Sequence, residues 1–234
     1  MKELFTETIV PAPGLWDEAG HPRPSRLLTL LQEGAARHVS TFGYDSDTLA
    51  GQHCAWVVTR QGLTLLQPCP PDTPLTLCTW MGEGRHGLYP RYYELSAGEA
   101  VFLRGWALWA LMDLQSRTML LPDQSGVTLP GIVTGRESAP GRIRPGQLPH
   151  AFSFTVPASY ADRNGHTNNA RYLDMAQAHL PVENRGWRSF SVDYRAETLP
   201  GDTLTVAWGE ENGLYTLRGT RDGTLCFLLQ VEYE

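Results

Sequence analysis

Apolar residues recur along this chain at two periods, and each period predicts its own kind of element. From Ser25 onward, Leu28, Leu31, Ala35, Val39 and Phe42 fall at steps of three and four. That spacing keeps them on one face of an α-helix ending at Gly43, with Arg26, Gln32, Glu33 and Arg37 on the opposite face. A shorter helix is predicted over 170–180, where Leu173, Ala176 and Leu180 share a face and Pro181 stops the run. Asn168 or Asn169 is its expected N-cap. Elsewhere, runs of β-branched, aromatic and aliphatic residues lie between turn residues and read as strands. These are 4–10, 56–66, 75–81, 88–95 and 100–112, then 151–156, 190–197, 203–208, 214–218 and 224–233.

The order strand, helix, four strands therefore occurs twice. Between the two sets, 121–148 holds Pro122, Pro130, Pro140 and Pro145 with Gly126, Gly131, Gly135, Gly141 and Gly146, the composition of a surface linker. The expected organisation is a first domain over 1–121, a linker over 122–148 and a second domain over 149–234. The halves also align directly. Asp17-Glu18-Ala19-Gly20-His21 falls on Asp162-Arg163-Asn164-Gly165-His166 at an offset of 145 residues (162 minus 17). The same offset carries Arg26 onto Arg171, Leu28 onto Leu173 and Gln32 onto Gln177. A repeat of this length points to two copies of one α+β unit. Each helix needs a curved antiparallel sheet to bury its apolar face. Two such sheets joined edge to edge form a pseudo-dimer and remove two exposed edges.

Composition narrows the function classes. The 234 residues are 41% hydrophobic and 19% charged, as in an ordinary globular protein. A net charge of −6 argues against a general nucleic-acid binder. Lys2 is the only lysine. Arginine suits phosphate and carboxylate recognition, although a GC-rich coding sequence produces the same skew. Cys54, Cys69, Cys78 and Cys226 form no C-x-x-C pair and no zinc-finger spacing with histidine, so they read as buried or incidental thiols and no metal is expected. No apolar signal core opens the chain, and the apolar region 101–114 is broken by Arg104 and Asp113 and too short to span a membrane. A reducing cytoplasm is the expected compartment.

The candidate chemistry lies at 162–169. Asp162, Asn164, His166, Asn168 and Asn169 supply a carboxylate, three carboxamides and an imidazole. Asn164-Gly165 marks a turn, which feeds the N-terminus of the short helix, where backbone N–H groups favour negative charge. These residues also suit a plain turn and cap. The comparison between copies shifts the balance. Where the second half has Asn164, Asn168 and Asn169, the first has Ala19, Arg23 and Pro24. A purely structural turn has no need of that difference.

The sequence resembles the plant and bacterial acyl-ACP thioesterases, double hotdog-fold enzymes. It carries their Asp-x-Asn-x-His-x-Asn-Asn-x-x-Tyr pattern as Asp162, Asn164, His166, Asn168, Asn169 and Tyr172, followed by Tyr-Arg-x-Glu at Tyr194, Arg195 and Glu197. The first half is similar at Leu31-Gln32-Glu33, Ala36, His38 and Trp56-Val57-Val58-Thr59-Arg60. The resemblance implies a tandem hotdog fold, no cofactor, and hydrolysis of fatty acyl-ACP to free fatty acid in fatty acid biosynthesis. It places Asp162, Asn164, His166 and Glu197 on the family's catalytic positions. Plant members have a cysteine after that glutamate; here it is Thr198, so a cysteine nucleophile cannot act at this position.

Water is then the expected nucleophile. Glu197, expected at a strand end among apolar neighbours, should be desolvated and act as general base helped by His166. Asp162 and Asn164 would position water and thioester, and amide N–H groups near Asn168 would stabilise the oxyanion. Asn168, Asn169 and Tyr172 are expected to contact substrate. Trp106, Trp109 and Ala35 of the first half are expected either to line the acyl pocket or to be plain core. An acidic carrier needs a local basic patch on a net-negative protein, and Arg136, Arg142, Arg144, Arg171, Arg185 and Arg188 are the candidates. Acyl-CoA hydrolysis, acyl binding without turnover, and a hydratase or dehydratase remain alternatives, and the chain is expected to be a monomer or a homodimer. Replacing all four cysteines by serine or alanine is expected to leave turnover within a few-fold in a protein that still unfolds cooperatively. Loss of activity from one such change would sink the water mechanism.

Overall fold

The computed structural model describes residues 3–12, 14–68, 71, 73–137 and 142–234. Lys2, Cys69, Pro140 and Gly141, named above, lie outside them. The long helix is α1 (Pro24–Ser40). Pro24 suits its first turn, because a fixed φ and a missing N–H cost nothing there. Its buried face is Leu27, Leu28, Leu31, Gly34, Ala35 and His38, so the helix sits rotated from the stripe expected through Val39 and Phe42 and ends before Gly43. A short helix, α2 (Ser46–Gly51), follows, with the Asp45 carboxylate accepting from Asp47 N–H and Thr48 N–H.

The strands are β1 (Leu4–Ile9), β2 (Cys54–Leu65), β3 (Leu75–Met81), β4 (Leu88–Ala97), β5 (Ala100–Asp113), β6 (Thr118–Leu120), β7 (His150–Thr155), β8 (Trp187–Tyr194), β9 (Thr203–Glu211), β10 (Leu214–Arg221) and β11 (Thr224–Tyr233). The remaining helices are α3 (Pro122–Ser125) and α4 (Arg171–His179). α2, β6 and α3 are too short to leave a periodic signal. β8 begins and ends three residues earlier than the apolar run suggested, which leaves Glu197 beyond the strand.

Among the described residues all strands join one sheet in the order β1-β3-β4-β5-β2-β8-β11-β10-β9-β7, with β6 on β5. Read from its outer edge, the first half runs first, third, fourth, fifth, second strand. The second half repeats that order from the opposite edge. The copies meet where β2 pairs antiparallel with β8, from Arg60 opposite Asp193 to Thr64 opposite Ser189. α1 and α4 touch each other, and both halves feed one apolar core.

Polar groups cross this junction. Asp193, its side chain 1% exposed, pairs with Arg60 Nε at 2.5 Å and Arg195 Nη2 at 2.9 Å. A second chain runs from Gln32 on α1 to Gln61 on β2 (3.1 Å), from the Gln61 amide to the Tyr194 hydroxyl (2.5 Å), and from that hydroxyl to the Asn169 carbonyl (2.7 Å). Burial pushes the Tyr194 hydroxyl far above the usual tyrosine range, so it stays protonated and donates.

The stretch expected as a surface linker is packed down, its earlier part against the first half. Val127 and Ile143 are buried, and Ile132 N–H donates to the Met81 carbonyl at 2.9 Å. Gly131 passes so close to the Glu83 backbone that a β-carbon would collide with it. No helix among the described residues is long and apolar enough to cross a membrane. Asp193→Ala is expected to lower stability by about 3 kcal/mol, the low end for breaking a buried pair, because both arginines can still reach water. Urea unfolding measures it. A loss below about 1 kcal/mol would mean that the strand ladder alone holds the halves together.

Candidate active site

The site is built on a turn made twice. In the second half, Asp162 N–H donates to the His166 carbonyl (2.7 Å) and Gly165 N–H to the Asp162 carbonyl (3.1 Å). Asp162 Oδ1 accepts from Asn164 N–H (2.8 Å) and His166 N–H (3.0 Å). In the first half, Asp17 N–H donates to the His21 carbonyl (2.9 Å) and Gly20 N–H to the Asp17 carbonyl (3.1 Å). Asp17 Oδ1 accepts from Ala19 N–H (3.0 Å) and His21 N–H (2.8 Å). Isolated bridges close both turns, Ala161 with Thr167 and Trp16 with Pro22. Gly165 and Gly20 both take positive φ, 81° and 84°. The aspartate is therefore the turn's anchor in each copy, whatever else Asp162 does.

His166 Nε2 lies 3.8 Å from Glu197 Oε2. Glu197 does not sit at a strand end among apolar neighbours. It lies in the bend after β8, its side chain 58% exposed, so desolvation gives no reason for it to be a base. Its partners are His166 and a residue the sequence reading missed. Arg117 Nη1, on the turn between β5 and β6 of the first half, stands 3.5 Å from Glu197 Oε2. Arg117 holds a positive φ of 56°, and the Asp113 carboxylate ties the turn by accepting from Gln115 N–H (2.9 Å) and Ser116 N–H (2.7 Å). No local sequence signal connects Arg117 to Glu197, because only tertiary folding brings the halves together there.

Thr198 fixes this segment. Its carbonyl accepts from Thr167 N–H (2.9 Å) and the Thr167 hydroxyl (2.8 Å). Its own hydroxyl is 2.8 Å from the Tyr172 hydroxyl and 2.7 Å from the Thr167 hydroxyl. This buried set latches the residue beside Glu197 onto the residue beside His166. Tyr172, expected to contact substrate, is part of the latch. Burial pushes its hydroxyl up to about 12, against the Thr198 bond.

Asn164 is exposed and makes no side-chain hydrogen bond among the described residues. Asn168 caps the approach to α4, its Oδ1 accepting from Ala170 N–H at 2.9 Å, although the residue flanking the helix is Ala170. The N–H groups of Asn168, Ala170 and Arg171 are bonded to the Tyr160 carbonyl, Asn168 Oδ1 and the Asn168 carbonyl, and that of Asn169 takes no part in these bonds. The expected lining is split. Trp109 lies on the face of β5 that packs under α1, with Ala35 opposite on the helix. Trp106, three residues away on a regular stretch, points to the other face, beneath Arg60. A cavity of about 380 Å³ opens beside Met81, Tyr89, Val127 and Leu129, and none of the predicted catalytic residues lines it.

The arginines divide as well. Arg136 pairs with Glu94 and stacks over Trp80, Arg171 pairs with Asp174 at 2.7 Å, and Arg185 donates to the Glu234 carbonyl at 2.7 Å. Those three hold local structure. Arg142 and Arg144 are exposed, and exposed Arg188 makes, among the described residues, only a long pair with Glu232, at 3.6 Å. Burial pushes the thiols of Cys54 and Cys226 up, the opposite of a reactive cysteine. Among the described residues no three His, Cys, Asp or Glu side chains gather to hold a metal.

Residues 14–122 match the family model for the acyl-ACP thioesterase N-terminal domain, and the chain plainly resembles that family. Solved structures share the whole fold. An acyl-ACP thioesterase from Bacteroides thetaiotaomicron superposes with a TM-score of 0.88 at 22% identity, over 99% of this chain and 98% of that one. The 12:0-ACP thioesterase from Umbellularia californica gives 0.82 at 15% identity, over 100% and 98%. A MaoC-like dehydratase from Phytophthora capsici gives 0.52 at 13% identity, over 76% and 72%, so related folds also carry a different chemistry. No curated protein sequence matches the chain.

The latch predicts a graded response. Thr198→Val keeps the shape but removes the hydroxyl that Tyr172 and Thr167 use, and is expected to cost about 1–3 kcal/mol. Thr198→Ser should cost less. Equal losses in the two variants, read from urea unfolding, would show that the methyl group and not the hydroxyl carries the contact.

Proposed function

We propose that the chain is a tandem hotdog enzyme, with domains over 1–121 and 149–234, that hydrolyses the thioester of fatty acyl-ACP to free fatty acid and holo-ACP. The observation that carries this reading is the approach of His166 Nε2 to Glu197 Oε2, above a turn whose amide-bearing residues occur in one copy only. Glu197 accepts a proton from water as the water oxygen bonds to the thioester carbonyl carbon. Asn164, whose amide is unengaged, and the Asn169 N–H receive the carbonyl oxygen as it gains charge. The C–S bond then breaks, and His166 returns a proton to the departing thiolate. Asp162 keeps Asn164 and His166 on one rigid turn. Arg117 and His166 together hold the Glu197 carboxylate, which supports a base fixed by contacts at the surface.

The first half shapes the acyl site, through Trp109 on the face of its sheet under α1 and Ala35 on the helix itself. Its own turn contributes no second site, since Ala19, Arg23 and Pro24 replace the asparagines and His21 packs against Gly186. Carrier docking falls to Arg142, Arg144 and Arg188. An acyl-CoA thioesterase uses the same chemistry and differs in needing no such docking. A binding module needs neither the asparagines nor the His166–Glu197 pair.

Incubation with acyl-ACP is expected to release free acid and no enoyl product. Glu197→Gln is expected to lower kcat by about 10²–10⁴ with little change in KM, and to remove the acidic limb of the pH–rate profile. Asp162→Asn retains an acceptor oxygen for the turn, and should be severe while leaving that limb in place. The reverse pattern would exchange the two roles. Near wild-type kcat in both variants would place the site elsewhere and favour a binding module.

A further inference from the structure

The first half holds a group of buried polar side chains that hydrolysis does not use. Arg91 on β4 is 3% exposed, with His38 of α1 and Thr79 of β3 fully buried around it. Its Nη1 donates to His38 Nδ1 at 3.0 Å and to Thr79 Oγ1 at 3.3 Å. Guanidinium can only donate, so His38 Nδ1 is the acceptor and is already engaged. Arg91 forms no ion pair with a carboxylate among the described residues. Burial lowers its pKa to about 10, still far above neutrality, so it remains a buried cation without a counter-charge.

Two more donors lie beside it. Tyr93 is two residues further along β4, and Trp109 pairs with Tyr89 across the β4–β5 ladder, so both project on the Arg91 side of the sheet. The Tyr93 hydroxyl and the Trp109 indole N–H are buried and have no hydrogen-bond partner. Burial pushes the Tyr93 hydroxyl up to about 12, against opposing pulls from Arg91 and from the Trp109 N–H, which lies near it outside hydrogen-bonding geometry. None of these side chains lines the cavity of about 380 Å³, but two residues of its wall are their neighbours in the sheet. Met81 in its wall opposes Arg91 in the β3–β4 ladder, and Tyr89 in its wall precedes Arg91 by two residues on the same face.

We propose that this part of the first half receives the distal end of an acyl chain bearing an oxygen acceptor, a carboxylate before a hydroxyl, in place of a bare methyl end. The proposal rests on the thioesterase reading and adds the substrate class. The guanidinium and the indole N–H can only donate, and the Tyr93 hydroxyl has a proton to give. Methylene and methyl groups would leave the Tyr93 hydroxyl and the Trp109 N–H unsatisfied and Arg91 without a counter-charge, whereas an oxygen can accept from both. A carboxylate also supplies the missing counter-charge. Sites built around hydrogen-bonding groups reject analogues that lack the partner, because the penalty falls on the protein's own buried groups.

The test compares kcat/KM of the full-length protein on acyl-ACPs of matched length ending in carboxyl, hydroxyl or methyl, across a series of chain lengths. At one length or more, the oxygen-bearing chains are expected to be favoured by at least about tenfold. Arg91→Met combined with Tyr93→Phe should bring that ratio close to one. If this variant does not fold, Tyr93→Phe alone should still reduce it. Preference for the methyl end at every length, or a ratio unchanged in the variants, would overturn the proposal while leaving thioester hydrolysis intact. If no thioester is hydrolysed, the thioesterase reading fails, and a free dicarboxylic acid decides the site by itself. A rise in melting temperature that Arg91→Met abolishes supports it, and no rise refutes it.

Discussion

The pairing of β2 with β8 is the contact on which the rest depends. Neither copy contains the whole candidate site. The turn and Glu197 come from the second half, and Arg117 comes from the first. Their separation is set by the register of one ladder, and a slip of one residue would turn every side chain on a strand to the other face. Asp193 works against such a slip, because it faces Arg60 directly across the ladder and is buried. A carboxylate taken out of water is tolerable only opposite its cation, so the pair penalises other registers even where its net contribution to stability is small. The Gln32–Gln61–Tyr194–Asn169 chain then carries the alignment from α1 to the start of α4.

Duplication explains how such a site can arise without new backbone. Both copies keep the aspartate-anchored turn, with matching hydrogen bonds and the same positive-φ glycine. In the first half the turn packs against the second half: the Trp187 indole N–H donates to the Pro22 carbonyl at 2.6 Å, and His21 lies against Gly186. In the second half the equivalent side chains keep access to solvent and carry the amides. One turn is thus a structural joint in one copy and, in the proposed reading, a platform for side-chain chemistry in the other. Asp162 belongs to both descriptions.

Much of the fold was legible in the chain. The two periods located α1, α4 and the long strands, because each of these buries one face over several turns or residues and leaves a repeating pattern. β3 and β11 fall within the limits that the pattern indicated. The offset of 145 residues between copies (166 minus 21) aligned the two turn segments, and the structure gives them matching backbone bonds. The Asp162, Asn164 and His166 group was legible for the same reason: a turn brings together residues that are near in sequence.

What the sequence did not carry is whatever depends on where distant segments meet. Glu197 reads as a strand-end residue, yet the seam holds β8 three residues short of that position and leaves the carboxylate exposed. Trp106 and Trp109 read as one aromatic stripe, but the pleat of β5 sends them to opposite faces. Arg136 and Arg185 read as surface cations, and packing engages them with Glu94 and with the chain end. Arg117 and Arg91 gave no signal, since the meaning of a charge is set by what surrounds it. Periodicity records which face of an element is apolar. The partner of each polar group is decided by tertiary structure, because burial, register and strand order set which charges must meet.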